Sequence, residues 1–306
     1  MRALVSGAGG FLGGALVRRL RADGVAVFTI GTTPSAGADA THTLTGRAPW
    51  SAQAWARALD LSAPDVVFHL AGAARGGAAE MEAVNVALAR GLLDALTASR
   101  AAPVLVMVGS AAEYGASIVS GVPVSENTAC APVGDYGRTK LAQSNAAMAF
   151  GQESGARVVI ARIFNAIGVG MPAFLALPDF ASQIASASPS GGILTTGNLD
   201  VCRDFIDVAH VVHALDAVAR LSAASGPINV CSGVAWSLRE SVDHMIRLSG
   251  KPISIVQDPS RVRADEVKVI VGSTARLEGL GIALPPTDLN AILEAMLLEA
   301  RARHSG

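Results

Sequence analysis

Residues 3–22 read ALVSGAGGFLGGALVRRLRA. The apolar run Ala3–Ser6 predicts a buried strand, and Phe11–Ala22, with its apolar face and arginine-rich opposite face, predicts a helix. Between them lies Gly7-Ala-Gly-Gly10-Phe-Leu-Gly13. Glycine suits such a strand-to-helix turn for two reasons. The turn is too tight for a Cβ, and the backbone must come close to a pyrophosphate held on the N–H groups of the helix start. A glycine-rich turn also occurs in α/β proteins that bind no nucleotide. Its placement after the first strand favours nucleotide binding.

The alternation continues outward from this unit. Strands are expected at Val25–Ile30, Asp65–Ala71, Val104–Ser110 and Arg157–Phe164, and helices at Trp50–Leu61, Glu80–Ser99 and Tyr136–Glu153. Runs such as VVFHL and VLVMVG have the continuous apolar character of strands buried on both faces. The expected fold class is therefore α/β: a Rossmann-type doubly wound parallel sheet. Beyond Phe164 the chain becomes richer in Gly and Pro, with helices expected at Asp179–Ala187, Phe205–Leu221 (Asp207 its capping candidate), Ser237–Leu248 and Asp288–Ala302, and short strands at Ile228–Cys231 and Ile253–Gln257. We expect residues 1–165 with about 205–232 to form the dinucleotide-binding domain. About 166–204 and 233–306 should form a smaller mixed α/β substrate domain.

Composition removes several classes. Of 306 residues, 51% are hydrophobic and 16% charged, which excludes a disordered chain. The net charge is −1 without a dense Lys/Arg run, so neither nucleic acid nor an anionic membrane is an expected partner. No apolar stretch approaches the roughly 18–20 residues that span a bilayer. Cys130, Cys202 and Cys231 are widely spaced, giving neither a disulfide framework nor a metal site. With no signal-peptide pattern at MRALVSGAGG, a cytoplasmic protein is expected.

The tip of the second strand reads Gly31-Thr32-Thr33-Pro34-Ser35, where a carboxylate commonly holds the ribose 2′-OH of NAD. The next acidic residue is Asp39. Without that charge a 2′-phosphate meets no repulsion, and Thr32, Thr33 and Ser35 offer it hydroxyls. The cofactor is therefore NADP or NAD, with NADP favoured.

Tyr136-Gly-Arg-Thr-Lys140 opens a helix with Tyr136 and Lys140 on one face. It follows the strand VLVMVGS, whose carboxyl end delivers Ser110, and ligand crevices of open α/β sheets lie at such ends. An ammonium beside a phenol is expected to lower its pKa and make Tyr136 a general acid/base.

Together with DVVFHLAG, Asn85, GSAAEYG, RIFN, RDFIDV and NVCSG, these motifs resemble the extended short-chain dehydrogenase/reductase family, the NAD-dependent epimerase/dehydratases of nucleotide sugars, over nearly the whole chain. FNAIGVG, LPDFASQIA, GNLDVCRDFIDV, INVCSGVAWSLRE and QDPSRVRADEV are most similar to its GDP-4-keto-6-deoxy-D-mannose reductases. The resemblance implies Ser110, Tyr136 and Lys140 as the catalytic set, with Lys140 also on the nicotinamide ribose. It implies Gly7, Gly10 and Gly13 at the pyrophosphate, with Phe11, Leu12, Thr32, Leu70 and Ala71 as further cofactor contacts. Asn85 would order the site through a backbone or water contact. Asn165, Arg203 and Arg263 would meet the substrate diphosphate, and Glu266 the nucleoside. A homodimer is the expected assembly.

The same resemblance separates the chemistries. Dehydratases carry an acidic residue two positions after the catalytic Ser/Thr, and epimerase/reductases of the fucose-synthase type a cysteine; this chain has Ala112. Glu113 should point the other way. The expected reaction is reduction of the C4 keto group of a 4-keto-6-deoxy sugar nucleotide with Tyr136 as general acid. A C4 epimerase retaining NAD is the alternative, and a non-catalytic NADP sensor is the alternative of another class. His69 reads as a core histidine, Cys231 as a buried thiol, and Trp50, Trp55 and Trp236 as packing residues, Trp236 with the option of lining the crevice. Arg75-Gly-Gly departs from the polar loop that relatives carry there.

Overall fold

The computed structural model describes residues 1–32, 40–43, 50–99, 102–262 and 266–305. The amino-terminal part runs β1 (Arg2–Ser6), α1 (Phe11–Ala22), β2 (Ala26–Gly31), β3 (Ala40–Thr43), α2 (Ala52–Ser62) and β4 (Val66–His69). Next, α3 (Ala78–Met81) continues through a π-helical stretch, Glu82–Ala87, into α4 (Leu88–Ala98). Then come β5 (Val104–Ser110), a 3-10 turn (Ala111–Glu113), α5 (Asp135–Ser154) and β6 (Val158–Ile163). The remainder comprises β7 (Asn165–Ile167), α6 (Ala176–Ser186), β8 (Gly192–Thr196), β9 (Cys202–Asp207), α7 (Val208–Arg220), β10 (Gly226–Val230), β11 (Ala235–Ser237), α8 (Leu238–Ser249), β12 (Ile253–Gln257), β13 (Val269–Ile270), α9 (Ala275–Gly279) and α10 (Leu289–Ser305).

A seven-stranded sheet has the order β10-β6-β5-β4-β1-β2-β3 with every pairing parallel. Alternation along each strand sorts neighbours onto opposite faces. Val106 and Val108 of β5 join the core under α1 and α7. Leu105 and Met107, from the same strand, join the core under α2, α4 and α5. Each fully buried side chain of this kind contributes about 1.5–3 kcal/mol, which is why these strands carry no polar alternation.

A separate core gathers Leu177, Phe180 and Ile184 of α6, Val242 and Met245 of α8, and Leu293 and Met296 of α10. Beside it, β9 pairs with β7, β11 and β13, and β8 with β12. The Rossmann-type α/β reading therefore holds, with additional smaller sheets.

Several boundaries differ from the sequence reading. Residues 205–207 finish strand β9 instead of starting a helix, and α7 begins at Val208, where the Asp207 side chain accepts from the Ala209 N–H at 2.8 Å. Strand β4 ends at His69, which leaves Leu70 and Ala71 at its exit. Strand β3 was not anticipated.

Candidate active site

Strand order reverses around β1 and β4, so a crevice opens outside their carboxyl ends. The glycine turn forms its floor. Gly7 has φ +72°, and a Cβ there would lie 2.6 Å from the Ala71 nitrogen and 2.8 Å from the Leu70 carbonyl carbon. A Cβ on Gly13 would lie 2.1 Å from the Gly7 oxygen, so turn and helix pack backbone to backbone. Gly10 is the N-cap of α1 and provides no side-chain cap, so the first N–H groups of the helix face the crevice. Phe11 and Leu12 start this helix; Phe11 packs against the α6–α8–α10 core and Leu12 against the core under α1. A cleft of about 320 Å³ is lined by this turn, Gly31, Thr32, Ala71 and Trp50. Trp55 is fully buried and Trp50 packs against it and its core, as expected, while Trp50 also lines the cleft. Thr33, Ser35 and Asp39 lie outside the described residues.

The crevice therefore fits a dinucleotide. Its glycine cradle would be filled by any Cβ, and an uncapped helix N-terminus suits a pyrophosphate.

At the neighbouring strand ends, Ser110 terminates β5, and its Oγ accepts from the Ala112 N–H at 3.2 Å. The same hydroxyl hydrogen-bonds the Tyr136 phenol. Gly137 lets α5 approach, since a Cβ there would lie 2.5 Å from the Ala112 oxygen. Lys140 is buried, and its Nζ donates to the Val108 carbonyl and, at 2.8 Å, to Gln143 Oε1. Burial lowers the Lys140 pKa to about 8, with the Glu113 charge acting in the opposite direction. For Tyr136 the outcome differs from the expectation. Burial pushes the phenol pKa up, the hydrogen bond with Ser110 works against this, and the Glu113 charge adds to it. The phenol is thus held protonated at neutral pH.

Asn85 lies in the π-helical stretch, fully buried. Its Oδ1 accepts from the Ala73 N–H at 2.8 Å, and its Nδ2 donates to the Ala73 carbonyl at 3.0 Å and to Thr139 Oγ1 at 2.9 Å. The extra residue of a π turn re-aims one side chain, here towards the loop that follows β4.

Glu113 points away from the crevice, as expected, and is completely buried. Its carboxylate accepts from the Ser110 N–H at 2.9 Å, the Ser144 hydroxyl at 3.0 Å and Arg162 Nε at 2.9 Å. Ser110-Ala-Ala-Glu113 is a capping box on the 3-10 turn, a spacing visible in the sequence but not used in its reading.

Asn165 follows β6, whose Ile163 is in register with Ser110, and Asn165 Nδ2 donates to the Asp204 carbonyl at 2.9 Å. Arg203 and Glu266 are brought together as an ion pair at 2.6 Å, with Arg203 also donating to the Val267 carbonyl and Glu266 accepting from Asn198. Arg263 lies outside the described residues.

Comparison with known proteins settles the family. The sequence profile of the NAD dependent epimerase/dehydratase family matches residues 3–231. This chain belongs to that family. Among its curated relatives is the GDP-6-deoxy-D-mannose reductase of Pseudomonas aeruginosa, 32% identical over 78% of this chain and 81% of the relative. The dTDP-6-deoxy-L-talose 4-dehydrogenase (NAD(P)(+)) of Kitasatospora kifunensis is 31% identical over 85% of this chain and 82% of the relative. The solved structure of RMD from Pseudomonas aeruginosa complexed with NADPH superposes with a TM-score of 0.83 at 27% identity, covering 99% of this chain and 100% of that one. The resemblance drawn from the motifs is thereby borne out.

In this epimerase/dehydratase family member three other residues singled out in the sequence are buried or packed against a core. His69 is buried with Nδ1 2.9 Å from Ser6 Oγ, and its pKa is lowered to about 3 by burial and by Lys140. Cys231 is a buried thiol whose pKa burial pushes up. Trp236 packs against the α6–α8–α10 core. Among the described residues there is no cluster suited to a metal ion, and no helix is long and apolar enough to cross a membrane.

Proposed function

We propose that this protein is an NAD(P)-dependent oxidoreductase of nucleotide sugars that reduces the C4 keto group of a 4-keto-6-deoxy sugar nucleotide, with Tyr136 as general acid. One observation carries the reading: the Tyr136 phenol, held protonated by burial and within reach of Ser110, rides on the helix that packs at Gly137 against Ala112, where family dehydratases place an acid and fucose-synthase-type enzymes a cysteine. The curated relatives named for reduction or oxidation of 6-deoxy sugar nucleotides support the same chemistry.

Gly7, Gly10, Phe11, Leu12 and Gly13 would hold the dinucleotide's pyrophosphate end, Thr32 its ribose, and Leu70, Ala71 and Asn85 the strand-exit side, with Lys140 at the nicotinamide ribose. Held there, a reduced nicotinamide would supply the hydride for C4. Tyr136 passes its phenolic proton to the O4 oxygen, so the C=O π bond becomes a C–H and an O–H bond. Ser110 hydrogen-bonds that oxygen and orients it. Lys140, its pKa drawn close to neutrality, stabilises the phenolate left behind until solvent returns a proton. Asn165, Arg203 and Arg263 would bind the substrate diphosphate, where a guanidinium fork matches phosphate oxygens, and Glu266 the nucleoside. We assign residues 1–165 with about 205–232 to the dinucleotide domain and about 166–204 with 233–306 to the substrate domain. The same reading makes the protein a cytoplasmic homodimer.

The experiment is NADPH oxidation with GDP-4-keto-6-deoxy-D-mannose. Stoichiometric consumption with formation of a C4 alcohol supports the proposal. Tightly retained NAD with interconversion of C4 epimers identifies an epimerase instead, and cofactor binding without turnover a sensor.

A further inference from the structure

The catalytic set stands on three separate elements whose agreement is not guaranteed by the sheet alone. Ser110 ends β5, Tyr136 and Lys140 ride on α5, and β6 packs alongside. One fully buried side chain touches all three. Glu113 takes the Ser110 N–H at 2.9 Å, the Ser144 hydroxyl at 3.0 Å from α5, and Arg162 Nε at 2.9 Å from β6. Space is reserved for it. Gly109 precedes Ser110, and a Cβ there would lie 2.6 Å from Glu113 Oε1. The counter-ion is itself held: the Arg162 guanidinium lies 4.7 Å over the Tyr114 ring, and the Tyr114 hydroxyl donates to Asn229 Oδ1 at 2.6 Å.

We propose that Glu113 is a positioning residue for the reaction, its carboxylate clamping the Ser110 strand end to the helix that carries Tyr136 and Lys140, with Arg162 as the fixed counter-ion. Glu113 does not face the crevice and handles no proton of the substrate. It acts through Ser110 and α5. The assignment rests on the C4-reduction reading for its kinetic consequence, but its structural consequence can be read without turnover.

The charge also reaches the reacting groups. The charged and titratable groups that act on this cluster are Glu113 of the 3-10 turn on the phenol and the ammonium, Arg162 of β6 paired with Glu113 and acting on Cys130, and His69 of β4 coupled to Lys140. Glu113 raises the pKa of both Tyr136 and Lys140. Removing its charge therefore lowers the Tyr136 pKa.

The chain has only two tyrosines, Tyr114 and Tyr136, which makes the phenol directly observable. Ring-labelled tyrosine NMR gives two titrating signals, assigned with Tyr136→Phe; Tyr114 is pushed up to about 12. In Glu113→Gln the Tyr136 midpoint is expected to fall. Its kcat should drop about ten- to a hundredfold, with NADPH affinity and KM within about twofold. An unmoved midpoint with unchanged kcat overturns the proposal. Gln leaves the Arg162 charge uncompensated, so a second variant keeps the test decisive if the first does not fold. Ser144→Ala preserves the ion pair and removes only the tether to α5. It should lower kcat about tenfold without moving KM or the Tyr136 midpoint, with Ser144→Thr restoring activity. Wild-type kcat in Ser144→Ala overturns the clamp. If the wild-type protein turns over no 4-keto sugar nucleotide, the reduction reading fails, while the NMR shift in Glu113→Gln still decides the coupling of Glu113 to Tyr136.

Discussion

Asn85 Nδ2 donates to Thr139 Oγ1 at 2.9 Å, which joins the π-helical stretch before α4 to the helix residue next to Lys140. The same amide grips both backbone groups of Ala73, so the loop beyond β4 and α5 share one fastening. We expect Asn85→Ala to cost about 2–3 kcal/mol of stability, because buried partners are left unpaired. It should lower kcat about tenfold by loosening the crevice. Denaturant unfolding together with steady-state kinetics checks this; a variant as stable and active as wild type would remove the fastening.

Gly13→Ala should abolish dinucleotide binding while leaving the chain folded or locally distorted, since the new Cβ would lie 2.1 Å from the Gly7 oxygen. Isothermal titration with NADPH and NADH measures it. Unaltered affinity would show that the turn is not the pyrophosphate cradle.

At the far end of the cleft, Gly31 and Thr32 stand where a carboxylate would read the ribose. NADPH should be accepted at least as well as NADH. Gly31→Asp should shift preference towards NADH, because a carboxylate at ~4 Å from a phosphate is opposed by about 4 kcal/mol per charge pair at an effective dielectric near 20, less with salt. The ratio of kcat/KM for the two cofactors in both proteins decides. A strong NADH preference in the wild type would contradict the assignment.

The parts legible in the sequence were those set by local requirements. A glycine that no Cβ can replace, a strand buried on both faces and a Tyr–Lys pair one helical turn apart all leave their mark within a few residues. The chemistry of Tyr136 was not legible. Adjacent charge in the sequence suggested a lowered pKa, while three-dimensional burial and Glu113 raise it. Nor could spacing show that Arg203 and Glu266 are each other's partners, or that an extra π residue aims Asn85 at Ala73. Such features depend on segments far apart in the chain. Glu113 is intermediate: its Ser-x-x-Glu spacing announces a cap, but its ties to Ser144 and Arg162 require the fold.

His69 gives the protein a defined acid response. Its folded pKa is about 3 against an ordinary 6.5, so between those values the unfolded chain binds a proton that the folded chain refuses. Stability should therefore be full above pH 6.5 and fall as pH drops towards 3, by on the order of 3–5 kcal/mol from this group. Urea unfolding at pH 7 and pH 4 in wild type and His69→Asn measures it; the variant should show a flatter dependence. Equal slopes in the two proteins would assign the acid sensitivity elsewhere.

Under the proposed function, Tyr136 delivers the proton when the C4 keto group is reduced. The most direct measurement is single-turnover NADPH oxidation with GDP-4-keto-6-deoxy-D-mannose, wild type against Tyr136→Phe, with NADPH affinity determined in parallel. Equal cofactor binding and a rate about two to four orders of magnitude lower in the variant are expected. A variant that consumes NADPH at the wild-type rate would contradict that role.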